Sequence, residues 1–324
     1  MQMFRQLVCG NFYSPDLMKS NRNSEDPSSN RKGGTPFWEK MKPKAPQRQA
    51  SRAAQSSTGK PVPTRENQQE RGWDQVAQWY DQLVGDEGSD YHKNVIMPAL
   101  LKRLQPLSGA SVIDVCCGQG FVGKLLKQAG ASRVHGVDAS PQLIASAQKR
   151  NAGETNLSYE VADASQPGAW ANGSYDAALC IMAVHDVPDL TGLFQNMARS
   201  LTDRGRALLV FMHPCFRMPQ HSHWGWDAEQ KIQYRRMDRY GTEKTIAITT
   251  HPGRKSSEQT KFYHRPLPSY VQSLSAAGLA ITGCDELFSH RRSQVGPRSK
   301  AEHLAAEEFP LFLLWELRKC PSLQ

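Results

Sequence analysis

From Trp73 onward, short apolar runs of strand length alternate with stretches whose apolar residues recur every three or four positions. That alternation constrains the fold more than anything else in the chain. The strand-like runs are 111–116, 133–138, 157–162, 175–182, 206–212, 280–288 and 309–318. Between and before them lie helical patterns. Trp73, Val76, Ala77 and Tyr80 share one face, as do Val95, Ile96, Ala99, Leu100 and Leu104. A helix predicted over 122–128 is stopped by Gly130. Ser140 caps another, with Pro141 in its first position and its end near Arg150. Helices over 190–201 and 267–277 follow, the latter ended by Gly278. Such alternation predicts an α/β fold with a doubly wound, mostly parallel sheet of seven strands. No helical pattern separates the last two strands, so one of them must run antiparallel. The stretches 213–265 and 289–307 fit neither pattern and are read as insertions over the open end of the sheet, the first of them a lid.

The chain has 324 residues, 39% hydrophobic and 22% charged. No apolar run approaches the ~20 residues that span a bilayer, so no membrane span is expected. Seven cysteines, an odd number and without zinc-type pairs, argue against a disulfide framework and for a reducing compartment. The charge is uneven. Residues 1–70 hold twelve Lys and Arg against six Asp and Glu, a net +6 of the total +9. Rich in Ser, Asn, Gln and Pro, this arm cannot offset its ordering entropy by burial and is expected to be disordered. It lacks the apolar core of a secretory signal, and Asp16, Glu25 and Asp26 argue against a transit peptide. Cytoplasmic placement is expected, with an organelle left open. The arm is either a solvated tail or a docking segment for nucleic acid or an acidic protein. Residues 71–324 are read as one domain.

The first strand ends in Asp114-Val-Cys-Cys-Gly118-Gln-Gly120. Glycines at a strand-to-helix turn permit tight turning and close backbone approach to a ligand. With Gly123 the dinucleotide pattern G-x-G-x-x-G is formally present, and a nicotinamide enzyme stays an alternative. Asp114 inside the strand weighs against it, because a carboxylate there repels pyrophosphate and suits a cationic amino group. Asp138 ends the second strand, where it can accept two ribose hydroxyls. Asp163 follows the third, within reach of an adenine amino group.

Val112 to Gly120, Gly136-Val-Asp-Ala-Ser140, Val161-Ala-Asp-Ala164 and Tyr175 to Asp189 together resemble the four leading motifs of class I S-adenosylmethionine-dependent methyltransferases, in their small-molecule group. The resemblance covers about 100–319 and extends to the terminal strand pair. It implies S-adenosylmethionine as cofactor. It implies that Gly118 and Gly120 pass under the methionine part and that Asp114 orders that loop or holds the amino group through water. It gives Asp138 the ribose and Asp163 and Ala164 the adenine, with Cys116, Ala139 and Cys180 completing the cofactor-binding set. The family has glycine where Cys116 stands; cysteine is small, and binding is expected to tolerate it. Tyr80 and Tyr91 either close over the cofactor or pack helices.

The acceptor site should lie past the fourth and fifth strands. His185 and His213 follow them and are the catalytic candidates, each equally readable as a hydrogen-bonded structural histidine. Asp186 is read as a loop cap. In the lid, Trp224, Trp226, Tyr263 and His264 are candidate substrate contacts for a planar or anionic small molecule. The same residues suit base stacking or a polar-rimmed packing layer. His213, Cys215, His221 and His223 match no usual zinc spacing, and no metal is expected. Cys180 and Cys215 lack the surroundings of a cytosine-methylating nucleophile. The Asn/Asp-Pro-Pro-Tyr signature of exocyclic amine methylation is absent, Met182-Ala-Val-His185 standing in its place. Transfer of methyl to O, N or C of a small molecule is the leading expectation. An RNA or protein methyltransferase guided by the arm, and a non-catalytic cofactor-binding assembly factor, are the alternatives.

Overall fold

The computed structural model describes residues 72–249 and 259–320. The expected basic arm, and 250–258 within the expected lid, lie outside the described residues. Helix α1 (Trp73–Val84) comes first, then a π-helical turn (His92–Ile96) running into α2 (Met97–Leu104). The winding begins with β1 (Ser111–Val115), α3 (Phe121–Gln128), β2 (Arg133–Asp138), α4 (Pro141–Arg150) and β3 (Leu157–Val161). It continues through β4 (Tyr175–Ile181), α5 (Leu190–Ser200) and β5 (Leu201–Met212). Two hairpins follow, β6 (Ser222–Asp227) with β7 (Ile232–Met237), and β8 (Lys244–Thr249) with β9 (Gln259–His264). The chain then forms α6 (Leu267–Ala276), β10 (Leu279–Leu287), α7 (Ser299–Glu308) and β11 (Phe312–Lys319).

Seven strands form one sheet in the order β10-β11-β5-β4-β1-β2-β3. β1 to β5 pair in parallel, and β11 runs antiparallel to both its neighbours. The predicted sheet is therefore present, with the last strand reversed. Successive side chains point to opposite faces, as strand geometry requires. In β5, Ala207, Leu209 and Phe211 join α5 and α6 on one face, while Leu208 and Val210 join α2 and α3 on the other. Both faces are covered, which is why the strands read as continuous apolar runs.

Two expectations need correction. The stretch 213–265 is not irregular: its described part forms two antiparallel hairpins, each too polar and too short to stand out from sequence. A helix, α7, does lie between the last two strands. Its apolar signal is weak because only Ala305 is buried, so periodicity missed it. The helix caps follow local chemistry. Ser140 Oγ accepts the Leu143 N–H at 3.2 Å, and Asp189 Oδ1 accepts the Gly192 N–H at 3.0 Å. The capping carboxylate of the loop after β4 is thus Asp189, and the Asp186 carboxylate is left for other work. Among the described residues no helix is long and apolar enough to cross a membrane, and the six cysteines there are free.

Candidate active site

Beyond Val115 the backbone enters the left-handed region three times, at Cys116 (φ 61°), Gly118 (φ 55°) and Gly120 (φ 75°). For a side-chain-bearing residue that conformation costs about 1–2 kcal/mol, which gives the physical reason for glycine in this motif and identifies Cys116 as the strained exception. Its thiol is hydrogen-bonded to Cys180 of β4, and that bond with burial holds it well above the ordinary thiol range. Cys180 is fully buried in the core and so forms the wall behind the turn.

The two glycines do different jobs. The Gly118 N–H donates to Asp138 Oδ2 at 2.9 Å, and the Ser140 N–H donates to Asp138 Oδ1 at 2.9 Å. One carboxylate thereby locks the end of β2 to the turn after β1. Gly120 faces away, toward Tyr159. A Cβ there would meet Ala147 at 2.8 Å and the Tyr159 ring at 2.9 Å. Gly136 leaves room for the same ring, and the Tyr159 hydroxyl donates to the Gly120 carbonyl at 3.3 Å. The G-x-G-x-x-G spacing therefore houses a tyrosine, and Gly123, whose added Cβ would strike the Tyr159 hydroxyl, belongs to that slot.

Helix α1 roofs the turn. A Cβ on Gly118 would touch the Tyr80 ring at 3.5 Å, and that ring packs edge-on against Trp73 at 5.2 Å. Arg150 on α4 holds α1 through Asp81 and donates to Asp86 at 2.9 Å, while Ser140 Oγ bonds Asp74. Tyr80, His92, Asp114, Cys116, Gly118 and Phe121 line the cleft beneath. Tyr91 instead packs edge-on against Phe312 at 5.8 Å, in the core.

The electrostatics of this cleft are one-sided. Asp114 is 3% exposed. Burial and the neighbouring Asp138 push its carboxyl up to about 7. Burial raises Asp138 as well, against the two N–H bonds that favour its charge. Burial and Asp138 raise Asp186 well above the carboxylate range. No Lys or Arg acts on any of the three among the described residues. Asp114 lines the cleft, and Asp138 and Asp186 lie within electrostatic reach of one another behind it, a cluster of three carboxyls on which no cation among the described residues acts. Asp163 follows β3, its Oδ1 accepting the Ser165 N–H at 2.9 Å, with Ala164 buried beside it and Ala139 exposed at the end of β2. The residues expected to hold ribose and adenine therefore sit at the carboxyl ends of β2 and β3.

The candidates beyond β4 and β5 divide. His213 Nδ1 accepts the Cys215 N–H at 3.2 Å, which fixes the proton on Nε2, and Nε2 donates to Glu286 of β10 at 3.0 Å. Both ring nitrogens are thus engaged, Nδ1 in shaping the turn after β5 and Nε2 in tying that turn to β10. His185 is neutral: burial and the charge of Arg265 lower its pKa to about 3. Its ring lies 4.8 Å from Phe262 of β9. In the hairpins, Trp224 packs edge-on against Phe309 beside Arg217 and Arg235, and Arg298 lies over Trp226. Both tryptophans thus pack toward α7 and the chain around it. His264 Nε2 donates to the Tyr240 carbonyl at 2.8 Å. Tyr263, half-buried, is bound to the β4 loop by its N–H on the His185 carbonyl at 2.7 Å. Of the four lid candidates, Tyr263 is the one that both contacts the β4 loop and feels the Asp186 charge. Residue types alone gave no signal for the roles of Asp186, Glu286 and Arg265, which rest on contacts between distant segments.

Residues 112–205 match a family described as a methyltransferase domain. The chain is 32% identical over 104 residues to a ubiquinone biosynthesis O-methyltransferase from Xanthomonas oryzae, covering 32% of this chain and 43% of the relative. It is 33% identical over 117 residues to aklanonic acid methyltransferase from Streptomyces, covering 35% and 52%. The chain thus spans about half the length of these curated relatives. A crystal structure of an S-adenosylmethionine-dependent methyltransferase from Mesorhizobium loti superposes with a TM-score of 0.55 at 26% identity, covering 72% of this chain and 100% of that one. With the strand order, the glycine turn and the acids in or after β1, β2 and β3, these likenesses give residues 112–205 a methyltransferase domain and make the chain similar to S-adenosylmethionine-dependent methyltransferases of the class I fold.

Proposed function

We propose that this protein transfers a methyl group from S-adenosylmethionine to an O, N or C atom of a small molecule. The observation that carries this reading is the cluster of Asp114, Asp138 and Asp186, unpaired by any cation among the described residues and each with its carboxyl pushed up. Buried like charges are costly until an opposite charge arrives, and a sulfonium bearing an ammonium brings two positive centres. In this reading Asp114 faces the ammonium group, Asp138 turns its remaining lone pairs to the ribose, and Asp163 and Ala164 take the adenine. Tyr80 covers the methionine part. When bound, S-adenosylmethionine supplies a methyl group on a positively charged sulfur, the bonding pair staying with sulfur as the methyl leaves.

The protein's share of the reaction is to hold the acceptor in line and away from water. His185 lies on the loop after β4 and is our candidate acceptor contact. Being neutral, it serves as a hydrogen-bonding group. For His213 we propose a structural role, because Cys215 and Glu286 already use both of its nitrogens. The relatives' names, one in ubiquinone biosynthesis and one acting on aklanonic acid, support a small-molecule acceptor.

Calorimetric titration with S-adenosylmethionine and S-adenosylhomocysteine tests the reading. Micromolar binding of both, weakened together in Asp138→Ala, is the expected result. No binding to a folded protein would remove the catalytic reading and leave an assembly role.

A further inference from the structure

The loop after β4 and the residue following β9 bury a cation beside a neutral imidazole. Arg265 is 8% exposed and His185 is 6% exposed. The guanidinium donates through Nη2 to the carbonyls of Val187 at 2.9 Å and Pro188 at 2.6 Å, two and three residues after His185. It also lies over the Tyr263 ring at 5.1 Å. The other end of each group is unsatisfied: Arg265 Nη1 and His185 Nδ1 are both buried without a hydrogen-bond partner. Among the described residues no carboxylate pairs with Arg265.

Two neighbouring buried polar groups left open are uncommon, and each costs about 1–3 kcal/mol or more. Backbone carbonyls and a hydrogen bond with the buried Tyr270 hydroxyl satisfy part of the guanidinium but do not neutralise it. A buried cation of this kind calls for an anion. The imidazole, kept uncharged, can carry its proton on Nδ1 and present a second donor. The pair sits at the carboxyl end of β4, where the acceptor of the proposed reaction belongs.

We propose that Arg265 Nη1 and His185 Nδ1 together receive an anionic oxygen of the methyl acceptor, an ionised phenol, enol or carboxylic acid. This deepens the methyltransferase reading and rests on it. In the transfer, an electron pair of that oxygen forms the new C–O bond, and the C–S pair stays with sulfur. The acceptor has already lost its proton to water before it binds, so neither His185 nor Arg265 takes one up. Arg265 binds and neutralises the acceptor oxygen and takes no part in proton transfer.

The test uses full-length protein saturated with S-adenosylhomocysteine and three probes: 4-nitrophenol at a pH where it is ionised, benzoate, and 4-nitroanisole, which has the ring without the anion. The expected result is that one or both anions bind and 4-nitroanisole binds more weakly. In Arg265→Met the favoured anion should lose about tenfold to a hundredfold in affinity, the worth of a charged hydrogen bond. Affinities for 4-nitroanisole and S-adenosylhomocysteine should stay unchanged. Preference for nitrophenolate marks a phenol or enol acceptor, and preference for benzoate a carboxylic acid. His185→Gln, which retains a donor, should lose less than His185→Leu, and this series decides the matter if Arg265→Met does not fold. Equal binding of anions and 4-nitroanisole would overturn the proposal, as would anion affinity indifferent to both sites. Failure of S-adenosylhomocysteine itself to bind would instead overturn the methyltransferase reading on which this rests.

Discussion

Among the described residues, the open end of the sheet at β1 and β2 buries carboxylates without cations, whereas past β4, against the end of β9, it buries a guanidinium without a carboxylate. A stable scaffold with no ligands to receive would gain by pairing these charges. Their separation into two neighbouring places suits a reaction with one positive and one negative participant. The glycine turn and Tyr159 make the first place rigid, and hairpin β8–β9 forms one wall of the second.

The comparison breaks most readily through pH. Asp114 ionises near 7 in the folded protein and near 4 when unfolded. Its neutral form therefore stabilises the fold fully below about pH 4, and that contribution is lost as pH rises through about 7, at about 1.4 kcal/mol per pH unit. Denaturant melts across this window should show the decline, and Asp114→Asn should flatten it. Cofactor affinity should run the opposite way, rising with pH because the charged carboxylate is the one that binds a cation. A flat profile for both would remove Asp114 from the acidic cluster.

Gly120→Ala should cost about 2–4 kcal/mol, since it adds left-handed strain to a collision with Tyr159 and Ala147. A loss under 1 kcal/mol in chemical unfolding would mean that the tyrosine slot is loose and the turn adaptable. Asp138→Ala should weaken S-adenosylhomocysteine by about 1.5–3 kcal/mol, since the charged acceptor is lost and the Gly118 N–H is released. Calorimetry giving unchanged affinity would show that the ribose is held elsewhere. The smallest effect belongs to the second region's border. His213→Ala should lower stability by about 1–2 kcal/mol through the lost bonds to Cys215 and Glu286 and leave cofactor affinity unaltered. A drop in turnover at full stability would restore His213 to the chemistry.

How legible the molecule is from sequence differs between the same two regions. The cofactor side was readable because its parts are consecutive: Asp114 to Gly120 is one turn, and Asp138 with Ser140 is the next. Local dihedral needs and capping rules act over a few residues, so spacing reports them. The acceptor side joins His185 to Arg265 and His213 to Glu286, pairs far apart in the chain. The lid residues were singled out by type, but Trp224 and Trp226 pack against the chain around α7, and Arg265 was passed over as one cation among several.

The sequence by itself determined the alternation of strands and helices, the glycine turn and the acids in, at the end of and after the first three strands. Periodic burial and backbone sterics act locally and leave their mark on neighbouring residues. Only the tertiary structure decided which charges face one another without relief. It made Gly120 and Gly123 a slot for Tyr159, gave both nitrogens of His213 to structural partners, and set Arg265 beside His185. Burial and electrostatic pairing depend on segments brought together by the whole fold, and no window of sequence contains both halves of such a contact.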